Sequence, residues 1–298
     1  MMREELINEL NRRISTIVSD GDWDGIVATS ILLIYAKDRK IEPVIRYPHP
    51  RKLKTLSFDY VVSVEITPTK TKITNSVIFD HHEKIDSGEN IWIFDSKAPS
   101  VAWLVSRFLD IEFDRKFLEA INAIDQGNWR QTQLSQTLFK AFQIDPSNFP
   151  RMEITYNLVN SEIEKVISWA EQRAKLFEPV MKLAQKLMSN VRVLLDSPKI
   201  VYFTYEVGRE EGARRIALLE LEDEYDIVIA LGERKGKFIT GTVATKKGHN
   251  LRVLFEELRK LGYNAGGREN VGGFQALEAI NVEDVIKNVK EVLTRIYQ

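Results

Sequence analysis

Residues 14–37, ISTIVSDGDWDGIVATSILLIYAK, decide how this chain is read. A short run rich in β-branched residues (14–19) ends in Ser19-Asp20, a glycine-spaced acidic turn follows, and residues 26–37 are apolar enough for a buried helix. Strand, turn and helix in that order are the first half of a βαβ unit. The rhythm continues outward: residues 44–47, 60–65, 76–80 and 91–95 read as buried strands, and 100–109 and 115–124 as helices. Such alternation predicts a largely parallel sheet with helices on both faces. Polar side chains recur where these strands end, at Ser19-Asp20, Glu65, Asp80-His81-His82 and Asp95-Ser96. Sites in open α/β sheets form at the carboxyl ends of strands, so this is the edge that carries chemistry.

Residues 140–160 hold two prolines without clear periodicity and read as the end of this domain. Residues 161–190 are helical by pattern, with Ile163, Val166, Ala170 and Phe177 on one face and Pro179 as a break or kink. Beyond them, 199–206, 225–232 and 237–245 read as strands and 212–220, 251–261 and 282–297 as helices, a second and smaller α/β unit. The expected division is 1–155, a helical linker over 156–190, and 191–298.

The chain has 298 residues, enough for two cores at about 150 residues per domain. It has no cysteine, which excludes a disulfide framework, zinc-thiolate and iron–sulfur sites and a thiol nucleophile. The longest apolar run is too short to span a bilayer, and the first fifteen residues lack a signal-peptide apolar region, so a cytoplasmic protein is expected. A net charge of -1 excludes a protein that coats nucleic acid by bulk charge. The balance conceals a segment, 234–268, with nine basic and two acidic residues.

Asp20-Gly21-Asp22-Trp23-Asp24-Gly25 places three carboxylates at alternate positions in one turn. They repel and raise each other's pKa values unless a divalent cation such as Mn²⁺ or Mg²⁺ compensates them; a polar turn with an Asp cap is the competing reading. Asp80-His81-His82 closes another strand and brings imidazole nitrogen to the same edge, in a chain with only four histidines. Nitrogen ligands shift the preference towards Mn²⁺. Asp125 follows an amphipathic helix, and Glu65 ends the apolar strand YVVSVE. Each would suit the same centre or, equally, a solvated element end.

In this order the motifs resemble the DHH phosphoesterase family. Asp20 to Gly25 is similar to its first motif, Phe79-Asp80-His81-His82-Glu83 to the signature that names it, and Asp125 stands where its last metal aspartate is expected. Gly266-Gly267-Arg268-Glu269-Asn270-Val271-Gly272-Gly273 resembles the glycine-rich loop of the DHH-associated C-terminal domain. The resemblance implies a parallel-sheet DHH domain, a helical linker and a smaller substrate-binding α/β domain. It also implies two Mn²⁺ ions, with Mg²⁺ as the alternative. Asp20 and Asp22 would serve one ion, Asp24, His81 and Asp125 the other, and Glu65 would bridge. His82 would face the scissile phosphate, and Asp80 would ligate or orient the histidines. Gly266, Gly267, Gly272, Gly273 and Arg268 would hold substrate phosphate. Two departures stand out: Glu65 replaces the usual aspartate, and Arg268 the usual histidine of the loop.

The family acts on single-stranded nucleic acid, short oligonucleotides, pAp, cyclic dinucleotides, polyphosphate and pyrophosphate, and has inactive Cdc45-like relatives that serve as replication scaffolds. The expected function is an exonuclease or oligonucleotidase on single-stranded RNA or DNA. The alternatives are a small-nucleotide phosphatase or phosphodiesterase and a non-catalytic replication subunit. A homo-oligomer or a replication or repair partner would accompany these readings.

Overall fold

The computed structural model describes residues 2–68, 70–82 and 89–297, so Glu83 of the histidine motif lies outside the described residues. The chain forms two compact units, Met1–Phe142 with Pro146–Lys175, and Gln143–Asp145 with Leu176–Gln298. The stretch expected as a separate linker, 156–190, is divided between them.

In the first unit, α1 (Arg3–Arg13) precedes β1 (Thr16–Ser19), α2 (Trp23–Lys37) and β2 (Val44–Arg46). A 3₁₀ turn (Pro50–Thr55) leads to β3 (Ser57–Asp59), β4 (Val62–Val64), β5 (Lys72–Thr74), β6 (Val77–Asp80) and β7 (Ile91–Phe94). Then follow α3 (Val101–Leu109), α4 (Arg115–Asp125), α5 (Gln133–Gln143), α6 (Arg151–Val159) and α7 (Ile163–Ala174). The main sheet has order β2-β1-β4-β6-β7 and is parallel throughout. All five expected strands are present, each shorter by one to three residues. From β1 the chain passes through α2 to β2 on one side and later reaches β4 on the other. The carboxyl ends of β1 and β4 therefore flank the point where strand order reverses, where a crevice opens in such sheets.

Helix α2 is apolar all round because it is buried all round, with thirteen of its fifteen residues buried. Trp23 anchors it: the indole Nε1 donates to Leu138 O at 2.7 Å, and the ring meets Phe117 and Phe149 edge-on. Truncating so buried an aromatic costs about 3–5 kcal/mol. Helices were expected on both sheet faces. The face carrying Val18 and Ile78 instead meets Leu53 of the 3₁₀ turn and Phe58 and Ile73 of the small parallel pair β3-β5.

The second unit comprises α8 (Glu178–Ser189), β8 (Arg192–Leu195), β9 (Ile200–Glu206), α9 (Glu211–Leu221), β10 (Ile227–Arg234), β11 (Lys237–Ala244), α10 (Arg252–Lys260), β12 (Tyr263–Gly267), β13 (Val271–Ala276) and α11 (Val282–Tyr297). Pro179 sits in the first turn of α8, after a 3₁₀ break at Lys175–Phe177. The mixed sheet has order β12-β13-β11-β10-β9-β8, with only β9 and β10 parallel. Ile200, Tyr202, Ile227 and Ile229 face a core with α10 and α11, and the alternate residues face α8 and α9.

Candidate metal centre

The turn leaving β1 is built to converge carboxylates. Gly21 takes φ +75°, and its carbonyl accepts from Arg151 Nε at 2.7 Å. Asp22 caps α2, accepting from Gly25 N at 3.1 Å. A Cβ on Gly25 would stand 2.5 Å from both Asp20 Oδ1 and Ser19 Oγ, so glycine leaves the space the carboxylate occupies. Asp24 lies in the first turn of α2 and is buried. Its two oxygens accept Val101 N at 2.6 Å and Ala102 N at 2.7 Å, from the first turn of α3. Two helix N-termini thus favour one anion.

Glu65 follows β4 and is 2% exposed, with φ +60°, a left-handed backbone that costs a non-glycine residue about 1–3 kcal/mol. Neighbouring bonds enforce it: Glu65 N donates to Phe79 O at 3.0 Å, Lys70 Nζ to Glu65 O at 2.7 Å, and Ser63 Oγ to Ile66 O at 2.5 Å. The result aims the carboxylate into the β1–β4 crevice, beside the Asp20 carboxylate.

At the end of β6, His81 and His82 diverge in role. His81 Nδ1 lies 2.8 Å from Ala98 O, a carbonyl that only accepts, so Nδ1 carries a proton and Nε2 is the nitrogen a cation would take. That Nε2 faces Asp125 Oδ2, on the last residue of α4, at 3.1 Å and Glu65 Oε1 at 4.0 Å. Asp80 Oδ1 accepts from His82 N at 2.7 Å and lies 2.6 Å from His82 Nδ1. Asp80 therefore orients His82, and its carboxylate belongs to none of the donor groups described below.

Burial raises the Asp20 carboxyl to about 7, with Asp22 adding repulsion. Burial likewise lifts Asp24, aided by Asp125 and Asp22, and Glu65, aided by Asp20 and Asp24, well above the carboxylate range. His81 rises to about 9: burial opposes its charge, but Asp125, the Ala98 carbonyl and Asp24 outweigh it. Three buried atoms here, Asp20 Oδ1, Glu65 Oε2 and His81 Nε2, have no hydrogen-bond partner. Orphaned acceptors and mutually repelling carboxylates are what a cation relieves. The donors form two principal groups whose ligand atoms lie within 4.8 Å of one another, Asp20-Asp22-Glu65 and Asp24-Glu65-His81-Asp125, with Glu65 common to both. Glu65, His81 and His82 make a third combination. Oxygen with one imidazole nitrogen suits Mn²⁺ or Mg²⁺.

Arg151 and Tyr47 were not singled out from sequence. Both press on Gly21, where an added Cβ would meet Arg151 Nε at 2.5 Å and Tyr47 Cδ1 at 2.9 Å. Arg151 is 130 residues from Gly21, and nothing local announces such a contact.

The expected phosphate loop of the second unit takes a different form. Gly266 and Gly267 belong to β12 and Gly272 and Gly273 to β13, paired Gly266 with Gly273 and Gly267 with Gly272. Strand β13 lies between β12 and β11, so its backbone N–H groups are spent in the ladder rather than offered to phosphate. Arg268 heads the tight turn, its N donating to Val271 O at 2.7 Å. The basic segment 234–268 is also compensated in part: Lys246 pairs with Asp223 at 2.9 Å, Lys247 with Asp226 at 3.4 Å and Arg252 with Glu269 at 3.8 Å.

No family model and no curated protein matches the sequence. Solved structures do match the fold. A pGpG-specific phosphodiesterase, PggH from Vibrio, superposes at TM-score 0.59 with 18% identity, over 94% of this chain and 98% of its own. RecJ from Thermus thermophilus, solved with Mn²⁺, gives TM-score 0.60 and 13% identity over 98% of this chain. The chain spans 54% of that protein's length. The DHH domain of a member of a family of ribosomal proteins gives TM-score 0.60 and 12% identity, over 99% of this chain and 88% of its own. With the acidic-histidine cluster at the carboxyl edge of its first sheet, the chain has the fold of the DHH phosphoesterases.

Proposed function

We propose that this protein is a metal-dependent phosphodiesterase that hydrolyses single-stranded nucleic acid or short oligonucleotides from an end. The observation that carries the reading is the pair of donor groups sharing Glu65. Asp20, Asp22 and Glu65 would hold one Mn²⁺ or Mg²⁺, and Asp24, Glu65, His81 and Asp125 the other. Such cations, when bound, would acidify a water and neutralise charge on the attacking and leaving oxygens. The chain's own residues prepare the site. Ala98 O keeps the His81 proton at Nδ1, so Nε2 stays available as a ligand. Asp80 keeps a proton at His82 Nδ1 and fixes that ring, whose side chain is 25% exposed and so reachable by a phosphate oxygen. Arg151 and Gly25 hold the aspartate turn open, and no side-chain nucleophile is required.

The test is hydrolysis of 5′-labelled and 3′-labelled single strands, duplexes and pAp with Mn²⁺ present. Cleavage of single strands from one end is expected, with loss of activity in Asp22→Ala and His81→Ala that keep native circular dichroism. Full activity in either variant would sink the assignment. The similarity to a pGpG-specific phosphodiesterase over nearly the full length of both chains favours, as the second reading, a small-nucleotide phosphodiesterase. Cleavage confined to dinucleotides or pAp would select it, and cleavage of nothing would select a non-catalytic replication protein.

A further inference from the structure

Residues 43–58, PVIRYPHPRKLKTLSF, contain Arg46, Arg51, Lys52 and Lys54 and no acid. This run leaves the end of β2, an edge strand, directly beside the metal centre. Tyr47 touches the Asp20-Gly21 turn, its hydroxyl 2.7 Å from Thr155 Oγ1. Arg46 is in register with Val18 on β1, so the two share a sheet face. Leu53 belongs to the same buried cluster as Val18, which holds the 3₁₀ turn on the same face. Arg46, at the carboxyl end of β2, and Lys52 and Lys54, on the turn that Leu53 anchors, are thereby carried on one face of the sheet. All three are exposed, and none has an ion-pair partner among the described residues. Elsewhere in this unit Arg12, Arg13 and Arg115 are neutralised by glutamates on their own helices. A cluster of buried carboxylates repels a polyanion at close range, and unpaired cations along the approach offset this over about a Debye length, roughly 8 Å at physiological salt.

We propose that Arg46, Lys52 and Lys54 form a track for the phosphodiester backbone of a single strand, holding phosphates several nucleotides from the one at the metal centre. This rests on the hydrolase reading and adds to it: the substrate is a strand longer than a dinucleotide. Contacts of this kind position a strand without reading its sequence.

The test compares the full chain with the triple variant Arg46→Gln/Lys52→Gln/Lys54→Gln. A control variant, Lys37→Gln/Lys40→Gln/Lys116→Gln, removes the same charge at the far end of α2 and the near end of α4. Binding of a labelled dodecanucleotide and a labelled dinucleotide is measured by anisotropy across a salt series, with hydrolysis arrested by EDTA. The track variant is expected to bind the dodecanucleotide several-fold more weakly and the dinucleotide unchanged. Its slope of log affinity against log salt falls by about 2, at roughly 0.7 per phosphate contact for a single strand. Equal losses in the control, equal losses on both ligands, or a wild type that holds the dodecanucleotide no better than the dinucleotide would overturn the track. A parallel Mn²⁺ assay keeps the two ideas separate: failure to cleave either ligand counts against the hydrolase reading, whereas anisotropy judges the track alone.

Discussion

His81 Nε2 lies 3.1 Å from Asp125 Oδ2, while Ala98 O stands 2.8 Å from Nδ1 at the other end of the same ring. A half-buried imidazole and a half-buried carboxylate meet there at a separation that one cation ligated by both would bridge. Glu65 faces the same point from β4. Replacing Glu65 by glutamine mimics its protonated form and removes one of the mutually repelling charges. Glu65→Gln is therefore expected to melt at or above the wild-type temperature without metal. It also loses the Mn²⁺-induced rise in stability, which for wild type at a hundred times Kd is roughly 2.7 kcal/mol. Thermal melts with and without EDTA check both signs.

Asp80 holds both the backbone N–H and the ring of His82 and stands outside the donor groups, so its removal separates orientation from ligation. Asp80→Asn is expected to leave Mn²⁺ affinity unchanged and to lower kcat about 10–100-fold, the usual effect of losing an orienting carboxylate. Titration calorimetry and steady-state kinetics on the same preparation decide it. A parallel loss of metal affinity would make Asp80 a ligand.

The glycines of the β12–β13 hairpin have unequal reasons to be glycine. A Cβ on Gly272 would meet Phe255 Cζ at 2.4 Å and Gly266 O at 2.6 Å, whereas one on Gly266 meets nothing within 4 Å. Gly272→Ala is expected to destabilise the second unit by about 1–3 kcal/mol, and Gly266→Ala to leave its denaturation midpoint unchanged. Urea titrations of the two variants distinguish these outcomes.

Glu222 gives stability a pH dependence away from the metal centre. Burial raises its carboxyl to about 7, against the pull of Lys246. A raised folded pKa means that unfolding releases a proton between the ordinary value and 7. Its contribution is full below about pH 4.5 and is lost as pH climbs to about 7. Glu222→Gln, which cannot ionise, should gain on wild type across that window and hold a constant advantage above it. Denaturant midpoints from pH 4.5 to 8 measure the gap.

Much of this was legible in the sequence, and the remainder shares one cause. The strands were visible because a parallel sheet buries both faces and its strands read as apolar runs, as VIFD does at β6. Asp20, Asp22, Asp24, His81 and Asp125 were visible because each closes or opens such an element. The left-handed backbone of Glu65 was not, since it depends on the bond to Phe79 of the neighbouring strand together with local bonds from Lys70 and Ser63 that no pattern announces. The double glycines read as a loop by resemblance, whereas at Gly267 and Gly272 close approach of the paired strand and of Phe255 demands glycine within a hairpin. The basic run 234–268 read as a patch because a linear count omits Asp223 and Asp226, which lie outside it and neutralise two of its lysines.

Whether Glu65 is shared by two cation sites is read from anomalous diffraction at the manganese edge, on crystals grown with Mn²⁺. Two peaks per chain are expected, one among Asp20, Asp22 and Glu65 and one among Asp24, Glu65, His81 and Asp125. An absence of peaks in this cluster, or a lone ion that does not touch Glu65, would contradict that sharing.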